Sequence, residues 1–430
     1  MIRSILLGAV ALSSMGLAAT QEPTSPLPPE QAPRPTGTSP AVTFLMQEYG
    51  ISEAEAKERL AVQAELMPLT LRLEEQNDPG FTDTWIEHTP VFKVVIAFAD
   101  AKDRRSLLES IPPRLRRYAQ LRTVPRSRSQ RKANQQEIEK AFRAAGFEFG
   151  GGFDPITGKY DMVVEDARAI SGVRQALPPN LRDDVTIRVG ELPRPEAPPT
   201  GVQSGDWIVG GFPLYPVKTD AQCTFGYPVR FKPSGSTTEV KGILTARHCL
   251  EIAYHYYNGH WITFGAPVIA PARSGIYDYE IFESTGLDDD NSYEVYYENR
   301  SNLPGISTRN YYRIYAWAAS TSQSVGDIVC KSGQQTGLTC GRITRKDGYY
   351  QGVYAWIEVA NSTHSGYQAD ISDNGDSGGP WFFDPGTGTS AIATGIHVSG
   401  SGVGASATAL YMPLERIDDH NNTVRLALAP

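Results

Sequence analysis

The sequence predicts two unlike folded units in one chain, an α+β unit followed by an all-β unit. Three observations predict this. The 430 residues exceed what one typical domain uses. Proline-rich stretches at 21–40 and at Leu192 to Pro199 mark boundaries. Finally, helical patterning upstream gives way, from Ile208 onward, to short apolar or aromatic runs broken by Gly, Pro, Asn and Ser.

In chain order, residues 1–20 read as a secretory signal peptide: Arg3 gives a positive start, Ile5 to Leu12 an apolar core, and Leu17-Ala18-Ala19 a small-residue cleavage site. That core is too short to span a bilayer, and no later stretch is long and apolar enough. Residues 21–40 are a linker, and 41–204 form the α+β unit. Helical pattern starts at Val42, and Ser52-Glu53-Ala54-Glu55 caps a helix running through Leu60 towards Leu66. Phe92 to Phe98 reads as a strand, Arg104 to Lys132 as a basic helical stretch, and Gly151 to Tyr160 as a hairpin turn. The hairpin leads into a strand at Asp161 to Val164, and a last strand covers Val185 to Val189. Leu192 to Pro199 closes the unit as a stiff linker.

Residues 205–430 form the all-β unit, with runs at Gly226 to Phe231, Trp261 to Phe264, Tyr311 to Trp317, Tyr349 to Val359 and Ala391 to Val398. This spacing argues for antiparallel barrels or a sandwich. All four cysteines, Cys223, Cys249, Cys330 and Cys340, lie here. An even count in an exported chain favours two disulfides, and four cysteines allow three connectivities. No zinc-ligand spacing occurs, and no metal or cofactor is expected. A net charge of −8, with no dense basic stretch in this half, argues against a nucleic-acid partner.

Gly375-Asp376-Ser377-Gly378-Gly379-Pro380 is the most informative segment. Glycines flanking a serine let the backbone turn sharply, so that N–H groups converge on an incoming oxyanion. A serine needs a general base to become a nucleophile. Thr245-Ala246-Arg247-His248-Cys249 supplies a histidine beside a cysteine able to pin its loop, and Tyr277-Asp278-Tyr279 supplies a carboxylate at the start of a strand. Asp278 is preferred over Asp288-Asp289-Asp290, which reads as a solvated loop or a weak calcium site, because Tyr279, Ile281 and Phe282 would bury it. Arg247 is expected to point to solvent. His88, His255, His260, His364 and His420 lack any comparable context. Three glycosylation sequons begin at Asn299, Asn361 and Asn421.

The order His248, Asp278, Ser377 resembles that of chymotrypsin-like serine proteases, and within them the streptogrisin and α-lytic protease group of secreted bacterial enzymes. The resemblance covers Ile208 to the C-terminus and implies an all-β double barrel, two six-stranded barrels with the active site between them. It implies Ser377 as nucleophile, His248 as base, Asp278 as orienting acid, and the N–H groups of Gly375 and Ser377 as an oxyanion hole. It also implies the disulfides Cys223–Cys249 and Cys330–Cys340, and a buried pair of Asp376 with Lys331 rather than with a freed N-terminus at Ile208.

The substrate pocket is expected around His397, Val398, Ser399, Gly400, Ile371, Ser372 and Ala409. His397 stands where glutamyl endopeptidases bind the substrate carboxylate, and equally reads as a buried strand histidine with its own backbone partner, whereas Ile371 and Ala409 would suit a large apolar side chain such as Phe or Leu. Upstream, the resemblance is one of pattern, and implies a pro-domain at 41–204 that assists folding and then inhibits. The expected protein is therefore a secreted, monomeric serine endopeptidase made as a zymogen. It would act on peptides through an acyl-enzyme, with its own pro-domain as partner. The rival is a protease-fold binding protein impaired in catalysis.

Overall fold

The computed structural model describes residues 38–195, 210–216, 223–233, 235–249, 253–257, 260–263, 268–269, 277–283, 293–298, 309–350, 353–364 and 370–429. The signal peptide, most of the first linker, Ile208, the Asp288 to Asp290 run and the Asn299 sequon lie outside these residues.

Helix α1 (Pro40–Tyr49) starts where the Ser39 hydroxyl caps the Val42 N–H and stops at Gly50, whose φ of 64° ends the helix in the left-handed region. Helix α2 (Glu53–Glu75) is capped by Ser52 and continues well past Leu66, through Pro68. It has two apolar faces. Val62, Leu66, Leu69 and Leu73 pack on a three-stranded sheet of β1 (Phe81–Glu87), β2 (Lys93–Phe98) and β3 (Ala119–Thr123). Ala56, Leu60 and Met67 turn the other way, into a core shared with the all-β unit.

The expected basic helix is broken. Ile111-Pro112-Pro113 interrupts it, leaving α3 (Arg105–Ser110), α4 (Pro113–Arg116), the strand β3 and then α5 (Arg128–Ala144). Next come β4 (Gly150–Asp154), β5 (Lys159–Val164), α6 (Ala169–Ala176) and β6 (Val185–Val189). The segment expected as a linker carries a short strand, β7 (Arg194–Pro195).

The second unit holds β8 (Pro213–Pro216), β9 (Cys223–Thr224), β10 (Pro228–Phe231), β11 (Val240–Thr245), β12 (Ala253–Tyr257), β13 (His260–Thr263), β14 (Glu280–Glu283), β15 (Glu294–Glu298) and β16 (Arg309–Trp317). Then follow β17 (Ile328–Gly333), β18 (Gly337–Tyr350), β19 (Val353–Ala360), β20 (Pro380–Phe383), β21 (Ser390–Ser401), β22 (Thr408–Pro413), α7 (Glu415–His420) and β23 (Arg425–Leu426). The run from Tyr349 to Val359 covers the end of β18 and most of β19, with Tyr350 paired to Val353.

Six of these strands close an antiparallel barrel in the order β17-β18-β19-β22-β21-β20 and back to β17. The rest form two four-stranded sheets, β14-β11-β10-β23 and β13-β12-β8-β9, and the pair β15-β16 joined to β21. Among the described residues this half is open sheets rather than a closed six-stranded barrel. A closed barrel with a second β system beside it is the chymotrypsin-like fold class, preceded here by an α+β unit.

The two units are joined by backbone pairing as well as by the shared core. β4 pairs with the end of β18, Gly151 opposite Tyr349, and β7 pairs with β21, Pro195 opposite Ser399 and Arg194 opposite Gly400. The Gln63 amide bonds both the N–H (2.9 Å) and the carbonyl (3.0 Å) of Ile328. Glu48 accepts from the Ser362 and Thr363 hydroxyls at 2.5 and 2.7 Å.

Candidate active site

β11 delivers His248. After Thr245 the chain makes a 3-10 turn, Arg247–Cys249, fastened by the Cys223–Cys249 disulfide; the second disulfide is Cys330–Cys340, across β17 and β18. β14 lies beside β11, and Asp278 just precedes it. The His248 N–H donates to Asp278 Oδ1 (3.1 Å), and His248 Nδ1 lies 2.8 Å from Asp278 Oδ2. A carboxylate can only accept, so Nδ1 carries the proton. In the neutral ring Nε2 is then an acceptor, 2.6 Å from Ser377 Oγ. The three side chains sequence reasoning singled out therefore form one hydrogen-bonded line, with Ser377 fully buried and Asp278 nearly so.

The backbone around Ser377 is held by close approaches. Gly378 has φ 86°, and a Cβ there would lie 2.1 Å from Thr245 Oγ1 and 2.4 Å from the Thr224 carbonyl. Gly375 has φ 109°, and the Gly375 and Ser377 N–H groups have no acceptor among the described residues. Thr224 is a residue that sequence reasoning missed. Its N–H donates to the Ser377 carbonyl (2.8 Å), its hydroxyl donates to the Gly375 carbonyl (2.8 Å), and its own carbonyl accepts from Thr245 Oγ1 (2.8 Å). One threonine thereby braces the serine loop against the histidine strand. Its only sequence signal is its place after Cys223.

Asp376 is fully buried, and Lys331 Nζ meets its Oδ2 at 2.6 Å. Thr336 Oγ1 accepts from Lys331 Nζ and donates to the same Oδ2, both at 2.6 Å, while the N–H groups of Gln335 and Thr336 donate to Oδ1. Lysine lacks the two-pronged guanidinium, and the threonine hydroxyl takes the second position. Burial pushes the Asp376 carboxyl up. The Lys331 charge, the field of His397 and the Lys331 and Thr336 hydrogen bonds outweigh this and hold it below the usual range.

Arg247 does not point to solvent. Its side chain is only 23% exposed, and Nη1 donates to Glu280 Oε2 at 3.2 Å, on a carboxylate that is wholly buried. A buried carboxylate recruits a cation more strongly than water recruits the arginine.

Among the expected pocket residues, His397 is fully buried, with Nδ1 accepting from Trp381 Nε1 at 3.3 Å. Its backbone bonds the serine loop in both directions, to the Gly378 N–H and the Gly379 carbonyl, each at 2.8 Å. Val398 and Ser399 are buried along β21, and Gly400 follows them. Ile371 and Ala409 sit in one apolar cluster with Trp381 and Tyr411, and Ser372 is buried beside Ile371.

No protein-family model matches the chain. Solved structures that it is similar to include Thermobifida fusca protease A, at 20% identity and a TM-score of 0.35, over 52% of this chain and 99% of that one. A Nocardiopsis protease is 22% identical with a TM-score of 0.36, over 51% and 98%. A glutamic acid specific serine protease, described as using a histidine triad in substrate binding, is 21% identical with a TM-score of 0.37, over 51% and 100%.

Elsewhere, Asn361 is buried and donates to the Gly404 carbonyl, which withholds that sequon from a glycan in this state. Among the described residues no group of His, Cys, Asp and Glu could hold a metal ion, and no helix is long and apolar enough to cross a membrane.

Proposed function

We propose that the chain is a serine endopeptidase of the streptogrisin and α-lytic type, secreted as a zymogen and working as a monomer on peptides. The observation that carries this reading is the line Asp278 Oδ2, His248 Nδ1, His248 Nε2, Ser377 Oγ, with contacts of 2.8 and 2.6 Å. Ser377 Oγ attacks the scissile carbonyl carbon as His248 Nε2 takes the hydroxyl proton. Asp278 stabilises the imidazolium, and the N–H groups of Gly375 and Ser377 receive the carbonyl oxygen as it becomes an oxyanion. His248 then protonates the leaving amine, leaving an acyl-enzyme. Water, deprotonated by His248, attacks the acyl carbon and releases Ser377. Each oxyanion donor is worth about 3 kcal/mol of barrier.

Residues 41–204 act as the folding and inhibitory pro-domain in this reading. Supporting it, β7 pads the edge of β21 next to the serine loop as an extended peptide would, and Ser377 is closed to solvent. The reading includes a preference for glutamate at the cleaved position. Trp381 donates to His397 Nδ1, so the neutral ring carries its proton on Nε2, a donor suited to a carboxylate. The apolar alternative would use Ile371 and Ala409. Secretion is supported by the signal-like start of the sequence and by two disulfides.

The test is acylation of the expressed full chain by a sulfonyl fluoride, with Ser377→Ala beside it, and hydrolysis of peptides bearing Glu, Phe, Leu or Arg at the cleaved position. An unreactive wild type sinks the enzyme reading and favours the binding-protein rival. Activity without a Glu preference that His397→Ala leaves unchanged removes the carboxylate pocket alone.

A further inference from the structure

Two side-chain contacts to carboxylates, not one, join the end of β11 to the start of β14. Thr245 stands opposite Glu280 in the register of these strands. Beyond Thr245 come Arg247 and His248, and ahead of Glu280 comes Asp278. Residues two apart on extended chain share a face, so Asp278 and Glu280 present their carboxylates to the same turn. His248 takes the first, and Arg247 takes the second at 3.2 Å.

The charges around the imidazole come from every side. Asp278 faces Nδ1 and Ser377 faces Nε2, and the residue before Ser377, Asp376, is buried in its pair with Lys331. Arg247 belongs to the same turn, and Glu280 stands on the strand beneath it. Tyr279 and His420 bond each other rather than this site. A lone arginine next in sequence to a general base would oppose formation of the imidazolium, and a lone buried glutamate would favour it. Joined, they cancel.

We infer that Arg247 and Glu280 act as one positioning pair for His248: their ion pair holds the turn against β14 and neutralises the charge either would impose on the imidazole. The inference rests on the serine protease reading above.

The experiment follows the pH dependence of the second-order rate at which a sulfonyl fluoride acylates the full-length protein, so that no substrate preference enters. Glu280→Gln leaves the arginine uncancelled, and the acid limb of the profile moves to lower pH by about 0.6–1.2 units. That shift is what one unit charge exerts over roughly 10 Å at an effective dielectric of about 20–40. The double variant Arg247→Met/Glu280→Gln removes both charges, and its limb returns to the wild-type position. Arg247→Lys keeps the charge and leaves the limb unmoved. Melting curves on each variant separate a loss of folded protein from a displaced limb. If Glu280→Gln and the double variant share one acid limb, or if rates fall equally at every pH, the pair is only structural and the inference is wrong. A wild type that never acylates overturns the protease reading itself, whereas a reactive wild type with an unmoved limb overturns this inference alone.

Discussion

His88 makes the α+β unit sensitive to acid. It lies at the end of β1 against the second unit, with Nε2 2.8 Å from the Gly326 carbonyl, so Nε2 carries the proton. Nδ1 is 3.4 Å from Arg59 Nη1, a donor that can only face a lone pair. Tyr49 stacks on the ring at 4.7 Å and Phe92 leans on it at 5.5 Å. Burial, reinforced by Arg59 and by Arg342 against the hydrogen bond His88 donates to the Gly326 carbonyl, takes the histidine from 6.5 down to about 3.

A depressed histidine stabilises nothing in acid. Its cost is absent above the free value, and it grows as pH falls from 6.5 towards 3, because any state that returns His88 to water binds the extra proton. The loss is about 1.4 kcal/mol at pH 5.5 and about 2.7 kcal/mol at pH 4.5. Asp327, next to Gly326, works in the opposite direction. Burial lifts its carboxyl to about 7 despite the Ser324 N–H and the Lys346 charge, so below that pH it favours the folded form. Glu55 holds the other side of Arg59. The measurement must therefore be a difference. Denaturant unfolding of Ser377→Ala, which cannot process itself in the proposed reading, is compared with Ser377→Ala/His88→Gln from pH 7.5 to 4.5. The gap should be flat above pH 7 and then shift against the histidine protein by the amounts given. Two curves that stay parallel down to pH 4.5 would refute the reasoning.

Further outcomes follow from the same geometry. Ser377→Ala should lose sulfonyl fluoride labelling and at least about 10³-fold of peptide hydrolysis, with an unchanged melting temperature; labelling of the variant by mass spectrometry would move the nucleophile elsewhere. Lys331→Met strands the buried Asp376 charge and should destabilise by about 3–5 kcal/mol in urea unfolding. Thr336→Val removes one hydroxyl from that triangle and should cost about 1–3 kcal/mol. Gln63→Met leaves the Ile328 N–H and carbonyl without the amide that bonds them, which should cost about 2–4 kcal/mol and lower the unfolding midpoint of the full chain.

What could be read from the sequence was local. Ser377 is announced by the glycines that its turn requires, and Gly378 shows why, since no Cβ fits between Thr245 and Thr224. His248 is announced by the cysteine that fastens its turn. What could not be read depends on register and on neighbours distant in sequence. Arg247 looked solvent-bound because neighbours on an extended turn point in opposite directions and His248 takes the inward one; its partner lies 33 residues on, and only the pairing of Thr245 with Glu280 brings them together. Thr224 braces the serine loop from 151 residues away.

Composition misled in a second way. Leu192 to Pro199 has the prolines of a linker, yet β7 within it is a strand. Proline lacks only the donor, and a strand with a single paired edge tolerates that loss, as β7 does, paired among the described residues with β21. The helix α2 hid its role for a related reason. Its apolar residues face two cores, so no single stripe repeats along it, and the second face has meaning only once the barrel is beside it. The hidden features, Gln63, Glu48, His88 and β7, all belong to the seam between the two units. That seam is invisible to any reading that treats each unit by its own periodicity. It is also where the proposed zymogen would be held shut, so the pH difference at His88 and the urea midpoint of Gln63→Met probe the regulation more directly than any change in the Ser377 loop.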